Sequence, residues 1–222
     1  MTVTTANSRP PGATVNFFNI SLHRSATQSS HDLFRRSGIA AIHWPAEVSG
    51  IDYQAKVEGH EDDPGFVART LKPVFSAYRS VSDAPMAALY RPLSADYPNA
   101  RFFAFYRPAS AWIRSVRTHI QSRPFVAFER AVYWSYFLQR PQVITDIADC
   151  ELSDFHAWHH DSITTYFANN DNFLLLSLEC TGLGPALCNF CGIPPVPLRI
   201  VDYAKGHDLG LDPASIDAEV CA

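Results

Sequence analysis

Ala100-Arg101-Phe102-Phe103-Ala104-Phe105-Tyr106 is the stretch that decides the fold. Seven residues dominated by aromatic and small apolar side chains, with no polar alternation, read as a strand buried on both faces. Arg107-Pro108 ends it at once, and Ala109 onward through Trp112 to Ile120 carries a helical pattern. A strand covered on both faces and followed directly by a helix implies a parallel sheet between helical layers.

The same grammar extends in both directions. Upstream, 13–20 (Ala-Thr-Val-Asn-Phe-Phe-Asn-Ile) reads as a first buried strand. A polar loop from Ser21 to Ser30 feeds a helix that carries Leu33 and Phe34 and stops near Ser37-Gly38, where glycine accepts the left-handed conformation of a helix end. Ile39 to His43 reads as a second strand, ended by Trp44-Pro45. Downstream, Phe125 to Leu138 and about Ser153 to Phe167 read as helices, and Asn172 to Leu178 as a last strand. The predicted fold class is α/β: three layers, α/β/α, with a mostly parallel central sheet. The predicted organisation is a flexible leader over 1–12, a single domain over 13–206 and a C-terminal tail over 207–222.

Composition bounds the function. With 222 residues, 47% of them apolar and 13% aromatic, the chain can bury a sizeable core. A net charge of −4 with 18% charged residues gives no broad basic face for nucleic acid or an anionic membrane, so any anion site is local. No run reaches the ~18 apolar residues of a membrane helix, and Met1 to Pro11 lacks the basic start and apolar stretch of a signal peptide. A cytoplasmic location, without stable membrane insertion, is the expectation. Five cysteines do not suggest a disulfide scaffold; Cys188 and Cys191 make a CxxC without a second ligand pair, which places both in the core near a helix end rather than on zinc. The segment Glu58 to Gly65 reads as an acidic solvated loop that could border a pocket. His156, His159 and His160 share a helix face with Asp161, and read as a polar helix surface rather than as a metal site, with His159 as a candidate for orienting the active-site edge. Tyr133, Trp134 and Phe137 read as core, with a groove for an apolar ligand as the alternative.

In such a sheet ligands bind beyond the carboxyl ends of the strands. Two segments meet that description. After the first strand, Arg24-Ser25-Ala26-Thr27-Gln28-Ser29 opens a helix, where backbone N–H groups and the positive helix end can wrap an anion, with Arg24 for charge and hydroxyl and amide donors beside it. Gly-x4-Gly-Lys-Ser/Thr is missing, so this is not the usual triphosphate loop. After the central strand, Arg107 and, eight residues on, Ser115 can close on one phosphate from two sides.

Together these segments resemble the PAPS-dependent sulfotransferase superfamily, in its bacterial and invertebrate branch, where PAPS is 3′-phosphoadenosine 5′-phosphosulfate. The flanks extend the likeness: Ile42 to Pro45, Ser82-Asp83-Ala84-Pro85, Asp96 to Phe103, His159 to Ile163, and Leu187 to Pro194. It runs from about Phe17 to Pro197. The resemblance implies a P-loop-like sulfotransferase fold and transfer of a sulfuryl group from PAPS to a hydroxyl or amine, with adenosine 3′,5′-bisphosphate as product and no metal required. Carried over, Arg24, Ser25, Ala26, Thr27, Gln28 and Ser29 hold the 5′-phosphosulfate, and Arg107 and Ser115 the 3′-phosphate. The loop departs from the usual Lys-Thr-Gly-Thr. The family's Arg-Lys-Gly has only a poor echo in Ala204-Lys205-Gly206. The acceptor implied is a small molecule, carbohydrate or lipid, and a general base must take its proton. Asp83 and His43 are the candidates, the alternatives being an N-cap aspartate and a strand-end histidine. A kinase using ATP and magnesium, or a nucleotide-binding relic without turnover, are the competing readings.

Overall fold

The computed structural model describes residues 16–202 and 207–208. The leader, the start of the first strand, Ala204-Lys205-Gly206 and nearly all of the tail lie outside the described residues. In chain order the elements are β1 (Phe17–Asn19), α1 (Thr27–Arg36), β2 (Ala41–His43), β3 (Glu47–Val48), β4 (Ile51–Asp52), α2 (Tyr53–Val57), α3 (Pro64–Thr70), α4 (Lys72–Ala77), β5 (Ser80–Ser82) and α5 (Met86–Asp96). They continue with β6 (Arg101–Tyr106), α6 (Ala109–Ile120), α7 (Ala127–Trp134), α8 (Asp149–Tyr166), β7 (Phe173–Ser177), α9 (Leu183–Cys191), β8 (Val201–Asp202) and β9 (His207–Asp208).

The main sheet has the order β2-β5-β1-β6-β7 and every pairing in it is parallel. The predicted α/β class with a mostly parallel sheet is what the chain adopts. Alternation along the strands divides the apolar residues into two cores. Phe18, Phe102 and Ala104 face one side, where Trp112 of α6, Phe128 of α7 and Phe155 of α8 cover them. Phe17, Phe103 and Phe105 face the other, under Leu33 and Phe34 of α1 and Leu187 and Cys188 of α9. Full burial of rings such as Phe103 contributes roughly 2–3 kcal/mol each, which makes β6 the organising strand.

Three sequence expectations change. β5 was not foreseen: Ser80 and Ser82 carry no β signal, but both are buried because β2 and β1 flank the strand. The acidic loop is not wholly solvated, since Glu61 is 4% exposed and pairs with Arg130 of α7. The Phe125–Leu138 helix is shorter, Ala127–Trp134, with Phe125, Tyr133 and Phe137 in the core. Cys188 and Cys191 are free thiols in the second core, as expected, and burial pushes the Cys191 thiol up to about 12.

β1 lies centrally, with β5 on one side and β6 on the other. The chain leaves β1 towards β2, at one edge, and later crosses from β5 past β1 to β6. The crevice this reversal opens at the strands' carboxyl ends is where α/β sheets place ligands.

Candidate active site

A buried polar network fixes the entry to the β1–α1 loop. Asn19, at the end of β1, donates to Ser30 Oγ (2.8 Å) and accepts from the Ser21 amide (3.0 Å) and hydroxyl (2.5 Å). Ser21 Oγ in turn accepts from the Phe105 amide at 2.8 Å, tying the loop to β6. Beyond this anchor the backbone turns into the left-handed region at Arg24 (φ 66°) and Ala26 (φ 54°). Each such non-glycine residue costs about 1–2 kcal/mol, and the return is a concave run of N–H groups of the kind that holds anions. Ala26 is the N-cap of α1 and supplies no side-chain cap, and the first turn carries no acidic residue. The positive end of α1 therefore faces a cavity of about 790 Å³ with no side-chain cap from Ala26.

Arg24, Ala26, Thr27, Gln28, Ser29, His43, Asp83, Arg107 and Ser115 all line this cavity. Ser25 alone of the expected set does not; it is fully buried, and its Oγ has no hydrogen-bond partner. Arg24 Nε donates to Ser115 Oγ on α6 (3.2 Å), and Arg107 Nη1 donates to the Arg24 carbonyl (2.9 Å). The two segments that the sequence put 91 and 83 residues apart in these pairs thus interlock at one wall, with two guanidinium groups against an uncapped helix end. The donor chemistry of this wall fits a phosphorylated, multiply anionic ligand.

The second cluster forms at the ends of β2 and β5, where His43 and Ser82 face each other across the ladder. His43 Nδ1 is 3.2 Å from Ser82 Oγ, and its Nε2 is 3.0 Å from Asp83 Oδ2. Asp83 sits at φ 78° and its other oxygen, Oδ1, is buried without a partner. Burial pushes the Asp83 carboxyl up, but the hydrogen bond and charge of His43 outweigh it and hold the group below the usual carboxylate range. Asp83 does not cap α5: its N-cap is Pro85, without a side-chain bond.

Left-handed backbone is concentrated here. Among the described non-glycine residues it occurs at Arg24, Ala26, Trp44, Asp83, Ser49, Gln121 and Arg140, and the first four line the cavity. Strain gathered at one cavity is a mark of a working site.

Sequence reasoning missed His23, Trp44, His119, Arg123 and Glu129 in the cavity wall. Glu129, 3% exposed, is held by both arms of Arg123 (2.7 Å each) and also takes the Val126 amide at 3.1 Å. His23 Nε2 meets the Tyr133 hydroxyl at 3.0 Å, its carbonyl accepts from Trp112 Nε1 at 2.9 Å, and its Nδ1 is buried without a partner. Burial lowers His23, against the pull of the Asp83 and Glu129 carboxylates, so the ring is neutral. Burial and the positive Arg24 and Arg123 also lower His119.

The histidines of α8 are not a polar surface, which corrects the sequence reading. His156, His159 and His160 are buried, and their rings donate to the carbonyls of Arg107 (2.9 Å), Ile20 (3.0 Å) and His156 (2.8 Å). Burial lowers His156 to about 4 and His159 to about 3. α8 thus grips the backbone at the ends of β1 and β6, where the two cavity-lining segments begin. Among the described residues no group of three or more His, Cys, Asp or Glu is placed to hold a metal, and no helix is long and apolar enough to cross a membrane.

Comparison with known proteins adds a family. A family model described as a sulfotransferase domain matches residues 16–205. No curated protein sequence matches. Among solved structures, a shikimate kinase from Bacteroides thetaiotaomicron is similar at 13% identity and a TM-score of 0.47, over 73% of this chain and 86% of that one.

Proposed function

Because the chain belongs to the sulfotransferase-domain family, we propose that it moves a sulfuryl group from PAPS to a hydroxyl or amine of a small acceptor. The observation that carries this reading is the convergence, in one cavity, of the uncapped α1 terminus, Arg24, Arg107 and Ser115, with the His43–Asp83 pair in the same wall.

When bound, PAPS supplies the sulfuryl group and a phosphate oxygen that leaves with the S–O bond electrons. In this assignment Arg24 and the residues from Ala26 to Ser29 hold the 5′-phosphosulfate, and Ser25, which does not line the cavity, takes no part. Their amides, with the Arg24 guanidinium, stabilise the negative charge that grows on the leaving oxygen. Arg107 and Ser115 hold the 3′-phosphate and so orient the donor. Fixed cationic donors take the place that magnesium has in phosphoryl transfer.

The acceptor's proton goes to Asp83. Both ring nitrogens of His43 are engaged, Nε2 donating to Asp83 Oδ2 and Nδ1 meeting Ser82 Oγ; only the carboxylate keeps an oxygen without a partner. His43 orients Asp83 and keeps it ionised at neutral pH, ready to accept the proton as the new S–O or S–N bond forms. His43 is a positioning residue in this scheme, and Asp83 the base.

Calorimetric titration with adenosine 3′,5′-bisphosphate tests the donor assignment, with ATP plus magnesium as comparison. Micromolar binding that Arg107→Ala loses, with ATP weaker, supports it. Absence of bisphosphate binding by a folded wild-type chain removes the reading, and tighter ATP–magnesium binding replaces it with a kinase.

A further inference from the structure

Arg123 lines the cavity but has no part in the donor assignment. Its Nη1 donates to Glu129 Oε2 (2.7 Å) and to the Pro124 carbonyl (3.2 Å), and its Nη2 donates to Glu129 Oε1 (2.7 Å). A guanidinium has five N–H groups in a fixed plane. Those left over, Nε–H and the second N–H of Nη2, have no partner among the described residues and point side by side from one edge of the plane. Arg130 turns that same edge on Glu61, with Nε at 2.8 Å and Nη2 at 2.6 Å from Oε1. In Arg123 the edge is free.

The free edge is both held and reachable. Glu129 is 3% exposed and also takes the Val126 amide at 3.1 Å, which fixes the carboxylate end of the pair, while the Arg123 side chain is 42% exposed. A guanidinium already fixed in this way loses little freedom when a ligand meets it.

A line of contacts runs from Arg123 to the proposed base. Glu129 follows Phe128, whose ring meets the Trp44 ring in a T-shaped contact with centroids 5.8 Å apart. Trp44 follows His43, whose Nε2 is 3.0 Å from Asp83 Oδ2, and the Trp44 amide donates to the Ser82 carbonyl at 3.1 Å. Trp44 is only partly buried and lines the cavity, so an aromatic wall stands between Asp83 and Arg123. The donor's residues gather elsewhere. Arg24 Nε is 3.2 Å from Ser115 Oγ, α6 advances about 7.5 Å from Ser115 to its end at Ile120, and Arg123 follows beyond that end.

We propose that Arg123 recognises the acceptor, its free edge taking a carboxylate while Trp44 meets an apolar body. The acceptor class is then carboxylic acids that also carry the hydroxyl or amine to be sulfated. This deepens the sulfuryl-transfer reading above and rests on it. A carboxylate is planar and matches two parallel N–H groups, and it brings a single negative charge into a cavity that already holds Asp83 and Glu129, where a phosphate dianion would be repelled more strongly. Because Glu129 already offsets the charge of Arg123, the edge supplies direction more than charge, and lysine cannot replace it.

Calorimetric titration of the full chain with para-hydroxyphenylacetate and with its neutral amide tests the assignment, each with and without saturating adenosine 3′,5′-bisphosphate. The acid should bind about ten- to a hundredfold more tightly than the amide, as charge-assisted hydrogen bonds allow. Arg123→Lys keeps the charge but loses the planar edge, and should remove most of that preference. Arg123→Gln alone strands a buried Glu129, so the neutral control is the double variant Arg123→Gln/Glu129→Gln, checked for folding by circular dichroism; it should bind acid and amide alike. Equal binding of acid and amide to the wild type, no binding of either, or a preference that survives in both variants overturns the inference. A wild type that binds the bisphosphate but shows no preference for the acid loses this inference and keeps the donor site. A preference for the acid without any binding of the bisphosphate keeps the carboxylate edge and removes sulfuryl transfer.

Discussion

Trp112→Phe should loosen the β1–α1 loop through one hydrogen bond. The indole is fully buried between Phe155 and His156, and its Nε1 holds the His23 carbonyl at 2.9 Å, one residue before the left-handed turn at Arg24. Phenylalanine fills most of the space but offers no donor. Stranding a buried carbonyl costs about 1–3 kcal/mol, and the smaller ring leaves a void worth about 1–2 kcal/mol more. A loss of about 3 kcal/mol lowers the melting temperature by about 6–12 °C for a chain of this size. Trp158→Phe is the control, since Trp158 is only partly buried and stacks on Phe155 through its ring face. The assay is thermal unfolding by circular dichroism, with bisphosphate affinity measured on the same samples. A drop no larger than in the control, or unchanged affinity despite the full drop, would refute the idea that Trp112 holds the loop.

Other perturbations probe separate parts of the site. Glu129→Gln breaks the bidentate pair with Arg123; because the Arg123 side chain is 42% exposed, solvent screens the pair and the expected cost is about 1–2 kcal/mol, below that of a fully buried pair, read as a lower urea midpoint. Ala26→Gly relieves the left-handed strain at φ 54° and should stabilise the fold by about 0.5–1 kcal/mol, the strain relieved exceeding the added entropy of the unfolded chain; a lower melting temperature would contradict it. Acid should destabilise the protein through His156 and His159. Their folded pKa values, about 4 and about 3, lie below the unfolded value, so the unfolded state binds more protons below pH ~6.5 and stability falls as pH drops from there. Each contributes a slope of up to about 1.4 kcal/mol per pH unit, and His159→Gln should flatten the urea midpoint against pH by about one proton's worth. Asp83, lowered by His43, adds to the loss only at lower pH, since its stabilisation is complete above the unfolded carboxylate pKa and vanishes as pH falls through the folded one.

How much of this was legible in the chain depended on whether a residue's surroundings were local. β6 and α1 announced themselves because their own side chains carry the pattern, and the two segments that line the cavity followed from their position at strand ends. β5 did not: Ser80-Val81-Ser82 is a strand because of what lies on either side of it. That hid the reason why Asp83 and His43 meet, which is the ladder pairing of His43 with Ser82. The α8 histidines looked like surface because polar residues at i, i+3 and i+4 usually are; their true partners are carbonyls as far as 139 residues away. Arg123 and Glu129 escaped for a related reason. The pair straddles the start of α7, and Val126 at the N-cap gives none of the Ser/Thr signal of a capping box.

The left-handed backbone at Arg24, Ala26, Trp44 and Asp83 has a consequence for how this protein can change over generations. Part of the cavity wall is main chain turned in this way, and its β1–α1 portion is held from behind by β6 through Ser21 and by α8 through His159. Side chains at its rim can then be exchanged without moving those turns, so what the cavity admits can change by single substitutions. A change that relaxes one of the turns is a different event: it alters the mould itself, and every preference the site had acquired would have to be selected again.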